Sequence, residues 1–99
     1  MAIISGSDGL RTDLNPGDHV LLEYRGVKAI LVCKGVLSCA EPDKLKFSFD
    51  LQGESAMPIW LTDMEAHDVT FKIRTQVFKL VIQSASSNSR FVHLLVPSL

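Results

Sequence analysis

The side chains able to perform acid–base, nucleophilic or metal chemistry are few and widely spaced in this chain. Its three histidines, His19, His67 and His93, are far apart, and none lies in a Gly-x-Ser-x-Gly or comparable context that would set a nucleophile beside an oriented base. The two cysteines, Cys33 and Cys39, have five residues between them and match no zinc or redox spacing. The sequence therefore suggests no reaction and predicts a non-enzymatic protein that holds no metal and no cofactor.

The paired carboxylates and the glycines fit turns better than active sites. Asp63 with Glu65, and Glu41 with Asp43, fall in loop-like segments where solvated charge is ordinary. The glycines occur singly, so no glycine-rich run precedes a helix to bind phosphate. Gly35 lies inside a long apolar segment, and we expect it to mark a β-bulge or a barrel corner.

Length and composition bound the class of protein. A chain of 99 residues with 46% hydrophobic residues forms one small folded domain. Its formal net charge of −1 argues against non-specific binding to nucleic acid. No apolar run approaches the roughly 20 residues that span a bilayer, and the first residues lack a positively charged leader. We therefore expect a cytoplasmic protein with free, mostly buried thiols and no membrane insertion.

Alternating apolar and polar residues predict β-strands in the first half of the chain. His19–Tyr24 and Val27–Ser38 form a hairpin around a tight turn at Arg25–Gly26, and a further turn at Asn15–Asp18 precedes them. Lys44–Asp50 alternates as a strand with one face in water. Three residues of that strand are expected to face the core: Leu45, Phe47 and Phe49.

The segment Val69–Gln83 is expected to be one long strand. Val69, Phe71, Ile73, Thr75 and Val77 share one face, whereas Phe78, Leu80 and Ile82 carry the apolar pattern afterwards. A strand that changes phase once needs a bulge, or a bend that passes it from one side of a barrel to another.

The remaining segments are shorter. Pro58–Leu61 is expected to be an extended edge segment, and Thr62–Glu65 has the spacing of a capping box with at most one helical turn. Ser84–Ser89 is expected to be a flexible loop, and Arg90–Val96 the last strand.

These elements predict an all-β fold. An open sheet of this size would leave one apolar face and two edges exposed, whereas closure removes both problems. We therefore expect a small antiparallel split β-barrel of six to seven strands, formed by residues 14–99 as a single domain. Residues 1–13 are expected to form a flexible arm, with Ile3, Ile4 and Leu10 as its candidate anchors.

One group of basic residues is a candidate interaction patch: Lys44, Lys46, Lys72 and Arg74. If their two strands are neighbours, the four side chains form a small positive surface. We favour the interpretation that this is a solvated sheet face that discourages edge aggregation. The alternative is a docking patch for an acidic protein or an RNA backbone, although Phe47, Phe49 and Phe71 are expected to face inward, away from these charges.

Several segments together resemble a known family. Leu14–Glu23, followed by Gly26, resembles the opening Leu-x-x-Gly-x-x-Val-x-Leu-Glu of the N-terminal domain of YcgR-type flagellar brake proteins. Gly35–Leu37 is similar to the small residue and Val-Leu pair of that domain's second strand. Val69–Val77 resembles its late strand, and Leu94–Pro97 the strand and proline that end it.

This resemblance covers residues 14 to 97 and implies a PilZ-like split β-barrel that makes protein contacts. In the family the domain precedes a PilZ domain that binds cyclic di-GMP through an Arg-x-x-x-Arg run and an Asp-x-Ser-x-x-Gly motif. Neither run occurs in this sequence, and Asp50–Gly53 departs from the second motif. The resemblance therefore implies a protein-interaction module in cyclic di-GMP or motility signalling, with a PilZ-type receptor or a flagellar motor component as partner.

Two other functions stay open at this point. An atypical PilZ-like barrel would bind cyclic di-GMP or another nucleotide through Arg11, Arg25 or Arg90. A small barrel of the Sm or SH3 type would bind RNA through the basic patch, which the near-neutral charge argues against. Pairing of strand edges between two copies would give a homo-oligomer.

Overall fold

The structure, a computed structural model, describes residues 2–52, 65, 67–88 and 91–98. These residues contain strands and no helix, and so none that could cross a membrane. The strands are antiparallel, which confirms the predicted all-β class. Within the described ranges nine strands follow one another: β1 (Ile3–Ser5), β2 (Arg11–Asp13), β3 (His19–Tyr24), β4 (Val27–Leu37), β5 (Lys44–Leu51), β6 (Asp68–Ile73), β7 (Gln76–Val81), β8 (Ser84–Asn88) and β9 (Phe91–Pro97).

Seven of the strands form one sheet in the order β7-β6-β3-β4-β5-β9-β8, and β1 pairs with β2 in a separate hairpin. Strands β7 and β8 lie at opposite ends of this order, yet only Ile82 and Gln83 separate them in the chain. The Ile82 N–H donates to the His67 carbonyl (3.4 Å), and the Gln83 N–H donates to the carbonyl of Leu95 in β9 (2.9 Å). Because two residues span only a short distance, the sheet must curl to bring the end of β7 near the start of β8.

Two turns predicted from the sequence are present. Arg25 (φ 50°) and Gly26 (φ 81°) both adopt left-handed backbone conformations between β3 and β4, as a type I′ hairpin turn requires. Before β3, the Asp18 N–H donates to the Asn15 carbonyl (3.0 Å), and Gly17 has φ 93°. With a proline at the second position and this glycine at the third, the segment is a type II turn.

The predicted long strand Val69–Gln83 is wrong. The chain reverses after β6 in a two-residue hairpin, in which Ile73 pairs with Gln76 and Arg74 adopts φ 55°. Paired residues share a face, so the inward side chains change from odd to even positions across the turn. This reversal accounts for the change of phase, and it leaves Val77, which was expected to face inward, 49% exposed.

A second correction concerns the serine-rich segment that the sequence predicts as a flexible loop. Ser84–Asn88 is β8, an edge strand whose backbone pairs with β9. This edge strand is held by its backbone pairing with β9 and by the buried Ala85, which lies opposite Leu94. The segment therefore lacks the alternation of apolar residues from which a strand could have been predicted. In contrast, the bulge expected at Gly35 is confirmed, because the β4–β5 register shifts between Cys33 and Gly35.

The N-terminal residues, for which the sequence predicts a flexible arm, contain the β1–β2 hairpin. Of the three candidate anchors, Ile4 is fully buried, whereas Leu10 is 44% exposed. The Lys79 carbonyl of β7 accepts hydrogen bonds from both the N–H (2.6 Å) and the Oγ (2.8 Å) of Ser7. At the other end of the chain, the Ser98 Oγ donates to the Ile3 carbonyl (2.8 Å). The hairpin is thereby bound both to β7 and to the residues that follow β9.

The core is formed by the inner face of the curled sheet together with the N-terminal hairpin. Phe49 lies at its centre, with ring centroids 6.0 Å from Phe47 and 6.4 Å from Phe71, the latter edge to face. Phe47 and Phe49 are fully buried as predicted, and Leu45 packs against the core at its margin. The predicted edge segment Pro58–Leu61, and all but the last residue of the predicted capping turn, lie outside the described residues.

Candidate functional site

The four basic residues of the predicted patch do not come together. Lys44 and Lys46 lie on β5, Lys72 lies on β6, and Arg74 occupies the β6–β7 turn. Strands β3 and β4 separate β5 from β6 in the sheet, so the condition of neighbouring strands is not met. Only Lys72 and Arg74 share one region of the surface.

Two of these cations have nearby carboxylates. Lys44 Nζ lies 3.4 Å from Asp43 Oδ2 at the start of β5. Arg74 Nη2 lies 3.1 Å from Asp18 Oδ2, and its Nη1 lies 3.4 Å from both Thr12 Oγ1 and the Asp13 carbonyl. The guanidinium therefore joins the β6–β7 turn to β2 and to the turn before β3.

Lys72 and Arg74 instead border a groove of about 450 Å³ on the outer face of the sheet. Leu21 of β3 is at its centre, paired across the strands with Ile30 of β4 on one side and with Lys72 on the other. Ile30 is 49% exposed, although it lies in the middle of a strand. Six of the described residues line the groove: His19, Val20, Leu21, Ile30, Lys72 and Arg74.

A further exposed apolar side chain lies on β7, on the far side of Lys72. Val77 pairs with Lys72 and is 49% exposed, so Val77, Lys72, Leu21 and Ile30 form a row across four adjacent strands. We call this row the outer stripe. The core uses the opposite face of the same strands, so the outer stripe contributes no side chain to the buried cluster.

The sequence contained part of the signal for this surface. Alternation in β3 places Leu21 on the same face as His19 and Glu23, so an apolar residue between two polar ones is visible from the sequence alone. Ile30 was not identifiable, because the apolar run of β4 does not show which of its residues point outward. The meeting of Leu21 with Lys72 depends on the pairing of β3 with β6, which are far apart in the sequence.

The charge of the groove comes mainly from one side chain. Lys72 is exposed and has no ion pair among the described residues, whereas Arg74 is paired with Asp18. The exposed His19 imidazole lies at the border. Glu23 lies farther along β3, where Lys28 of β4 is its cross-strand partner. A single unpaired cation beside an apolar surface suits a ligand with one negative charge.

The other candidate chemical groups remain apart in the described ranges. His67 is exposed, with its Nδ1 2.8 Å from the Glu65 carbonyl and its ring 6.1 Å from that of Tyr24. Within those ranges no three His, Cys, Asp or Glu residues are grouped to hold a metal ion. Arg11 begins β2, whereas the Arg25 guanidinium stacks 5.3 Å from the Tyr24 ring centre in the β3–β4 turn.

The two cysteines have different environments, and we expect them to react differently. Cys33 is buried on the inner face, and burial raises the pKa of its thiol. A hydrogen bond with the Gly35 backbone lowers this pKa and the negative charge of Asp18 raises it, and the net shift is upward. Cys39 is half-buried and outside the core. With iodoacetamide near pH 8, we expect one rapid alkylation, at Cys39, and a second only as the domain unfolds. Peptide mapping identifies the modified thiol, Cys39→Ser should abolish the rapid phase, and rapid labelling of Cys33 would contradict its burial.

The raised pKa of Cys33 also gives stability a pH dependence. The folded state holds the thiol proton of Cys33 more tightly than the unfolded state does. The resulting contribution to the free energy of unfolding is therefore complete below the ordinary thiol pKa of about 8.5, and it is lost as pH rises through the pKa of the folded state. In the Cys33→Ala variant, the free energy of unfolding should therefore decrease less at alkaline pH than it does in the parent chain.

Comparisons of the chain with protein-family models, with curated proteins and with solved structures find no match.

Proposed function

We propose that this chain is a non-enzymatic protein-interaction module acting in cyclic di-GMP and motility signalling, without nucleotide binding of its own. The observation that carries the interaction role is the outer stripe, where Ile30 and Val77 are each half exposed on a sheet whose other face supplies the core. Leu21 and Ile30 are apolar neighbours across β3 and β4, and Val77 lies on the far side of Lys72. Exposed apolar side chains grouped on one face in this way favour an interaction site more than single scattered ones do. The signalling pathway rests on the resemblance to YcgR-type N-terminal domains.

The same proposal includes a PilZ-like split β-barrel. The two-residue corner between β7 and β8 joins the ends of the seven-stranded sheet, as a barrel requires. The β1–β2 hairpin contacts β7 through Ser7 and the chain after β9 through Ser98, and we assign it the role of covering the split. A rigid barrel presents the outer stripe without a conformational change, which favours binding.

The two alternative functions have weaker support. Cyclic di-GMP binding through arginines would use Arg11, Arg25 or Arg90, but Arg11 and Arg25 lie on different elements, and Arg90 lies outside the described residues. RNA binding needs aromatic rings on which bases can stack. Phe47 and Phe71 are fully buried, so neither ring is accessible to a base.

Calorimetry and light scattering on the full chain test this function. We expect no heat on titration with cyclic di-GMP, and a stoichiometric complex with a PilZ-type receptor or a flagellar motor component from the same cell. Micromolar binding of cyclic di-GMP would replace the proposal with a receptor function. Absence of a complex with either class of protein would overturn the assignment to this pathway. The mass of the chain alone distinguishes a monomer from a homo-oligomer.

A further inference from the structure

We propose that the groove on the outer face binds a short acidic-apolar segment of the partner protein, with an apolar side chain against Leu21 and Ile30 and an adjacent carboxylate at Lys72. This inference rests on the proposed interaction function and specifies the chemistry of the partner. It follows from the shape of the groove, the exposure of its apolar side chains and the distribution of charge around it.

The apolar part of the groove is built by strand alternation. Val20 and Leu22 of β3 are fully buried, so Leu21 between them projects to the outer face. Ile30 is directly opposite Leu21 on β4 and 49% exposed. Removing such apolar surface from water favours binding. An apolar side chain of the partner is therefore favoured at this position.

The charged part of the groove selects against a basic partner and for an acidic one. Lys72 pairs with Leu21 across β6 and β3 and has no ion pair among the residues that the structure describes. Arg74 adds a second cation, but the Asp18 carboxylate 3.1 Å away already satisfies it. A carboxylate is thus favoured beside Leu21, on the β6 side of the groove, and a lysine or arginine there would meet a like charge.

Charge also argues against a second copy of this chain as the occupant. In a dimer with two-fold symmetry both copies contribute the same surface to the interface. A dimer formed through this face would therefore bring the Lys72 and Arg74 side chains of both copies together. The dimensions favour a short segment, because about 450 Å³ is within the range of roughly 300–1,000 Å³ that holds small ligands. The occupant is therefore an acidic-apolar peptide segment of a different protein.

Nuclear magnetic resonance of the full, isotope-labelled chain tests this inference with two defined peptides. The probe is a capped peptide of sequence SGLELGS, and its control, SGLKLGS, replaces the central carboxylate with an ammonium group. We expect saturable shifts of the Leu21, Ile30 and Lys72 amides with the acidic peptide. Binding of the control should be weaker by about two- to fivefold, the range of an exposed ion pair. Equal binding of the two peptides, or shifts confined to other strands, would overturn the inference.

Variants of single lysines provide the matched control. Lys72→Glu should reverse the preference between the two peptides, whereas Lys46→Glu, on β5 and away from the groove, should leave it unchanged. Both changes are on half-buried or exposed side chains, and the spectrum of each variant shows whether it folds. If a PilZ-type receptor binds the chain and Lys72→Glu leaves that affinity unchanged, this inference fails while the proposed function stands. If the peptide preference holds and neither a PilZ-type receptor nor a flagellar motor component binds, the proposed function fails instead.

Discussion

Replacing Phe71 with alanine is expected to lower the free energy of unfolding by about 3–5 kcal/mol. Phe71 is fully buried on β6, where it pairs with Phe78 of β7 and with Leu22 of β3. Its ring also meets Phe49 edge to face at 6.4 Å, so it joins both halves of the sheet within the core. Small domains are stable by only about 5–15 kcal/mol, so this one change removes a large part of the total. Urea unfolding followed by circular dichroism measures it.

The control for this prediction lies on the same hairpin. Val77 is 49% exposed one position before Phe78, and Val77→Ala should change stability by about 0.5 kcal/mol or less. If Phe71→Ala leaves the domain too unstable to measure, Phe71→Leu retains part of the volume and should give an intermediate loss. A loss from Phe71→Ala no larger than that from Val77→Ala would contradict the placement of Phe71 in the core.

The sequence predicted the residues that face the core within single strands better than it predicted how the strands connect. The alternation of Lys44–Asp50 identified Phe47 and Phe49 as inward residues, and both are fully buried. Alternation succeeds because burial on one face of a strand imposes a period of two. That period holds whatever strand lies alongside.

The predicted connection was wrong at the β6–β7 turn, which contains none of the residue types that favour turns. The β6–β7 reversal uses Arg74 and Thr75, and an arginine at φ 55° adopts a left-handed conformation that costs about 1–2 kcal/mol. Pairing of β6 with β7 along their whole lengths offsets this cost, as does the contact of Arg74 with Asp18. Both of these stabilising interactions involve residues outside the turn. The residues of the turn alone therefore gave no indication of a reversal, and an uninterrupted strand was predicted.

The candidate site was predicted only in part for a related reason. Lys72 and Arg74 were identified as surface cations, but their grouping with Lys44 and Lys46 depended on the strand order. That order places β3 and β4 between β5 and β6, and it brings Leu21 beside Lys72 instead. Pairing between distant strands is a tertiary property, which a pattern of period two does not contain.

A second large effect is expected at the N-terminus, where Ile4→Ala should lower the free energy of unfolding by about 2–5 kcal/mol. Ile4 is fully buried in the core cluster. Its hairpin is held by a hydrogen bond from the Leu14 N–H to the Ala2 carbonyl (2.8 Å), as well as by the contacts of Ser7 and Ser98. Loss of the buried side chain therefore weakens a structural element of the domain.

The matched control for Ile4 is Leu10, which is of similar size, lies close in sequence and is 44% exposed. Leu10→Ala should change stability by about 0.5 kcal/mol or less. Small and equal effects of the two substitutions would show that residues 1–13 act as a flexible arm and that the core closes without them. A large loss confined to Ile4→Ala would establish the hairpin as part of the fold. In the folded domain Ser7 of this hairpin binds the Lys79 carbonyl at the edge of β7 that does not pair with β6. A weakened hairpin exposes this edge, so the Ile4→Ala variant should also associate more readily through it. Light scattering would detect the association as a mass that rises with concentration.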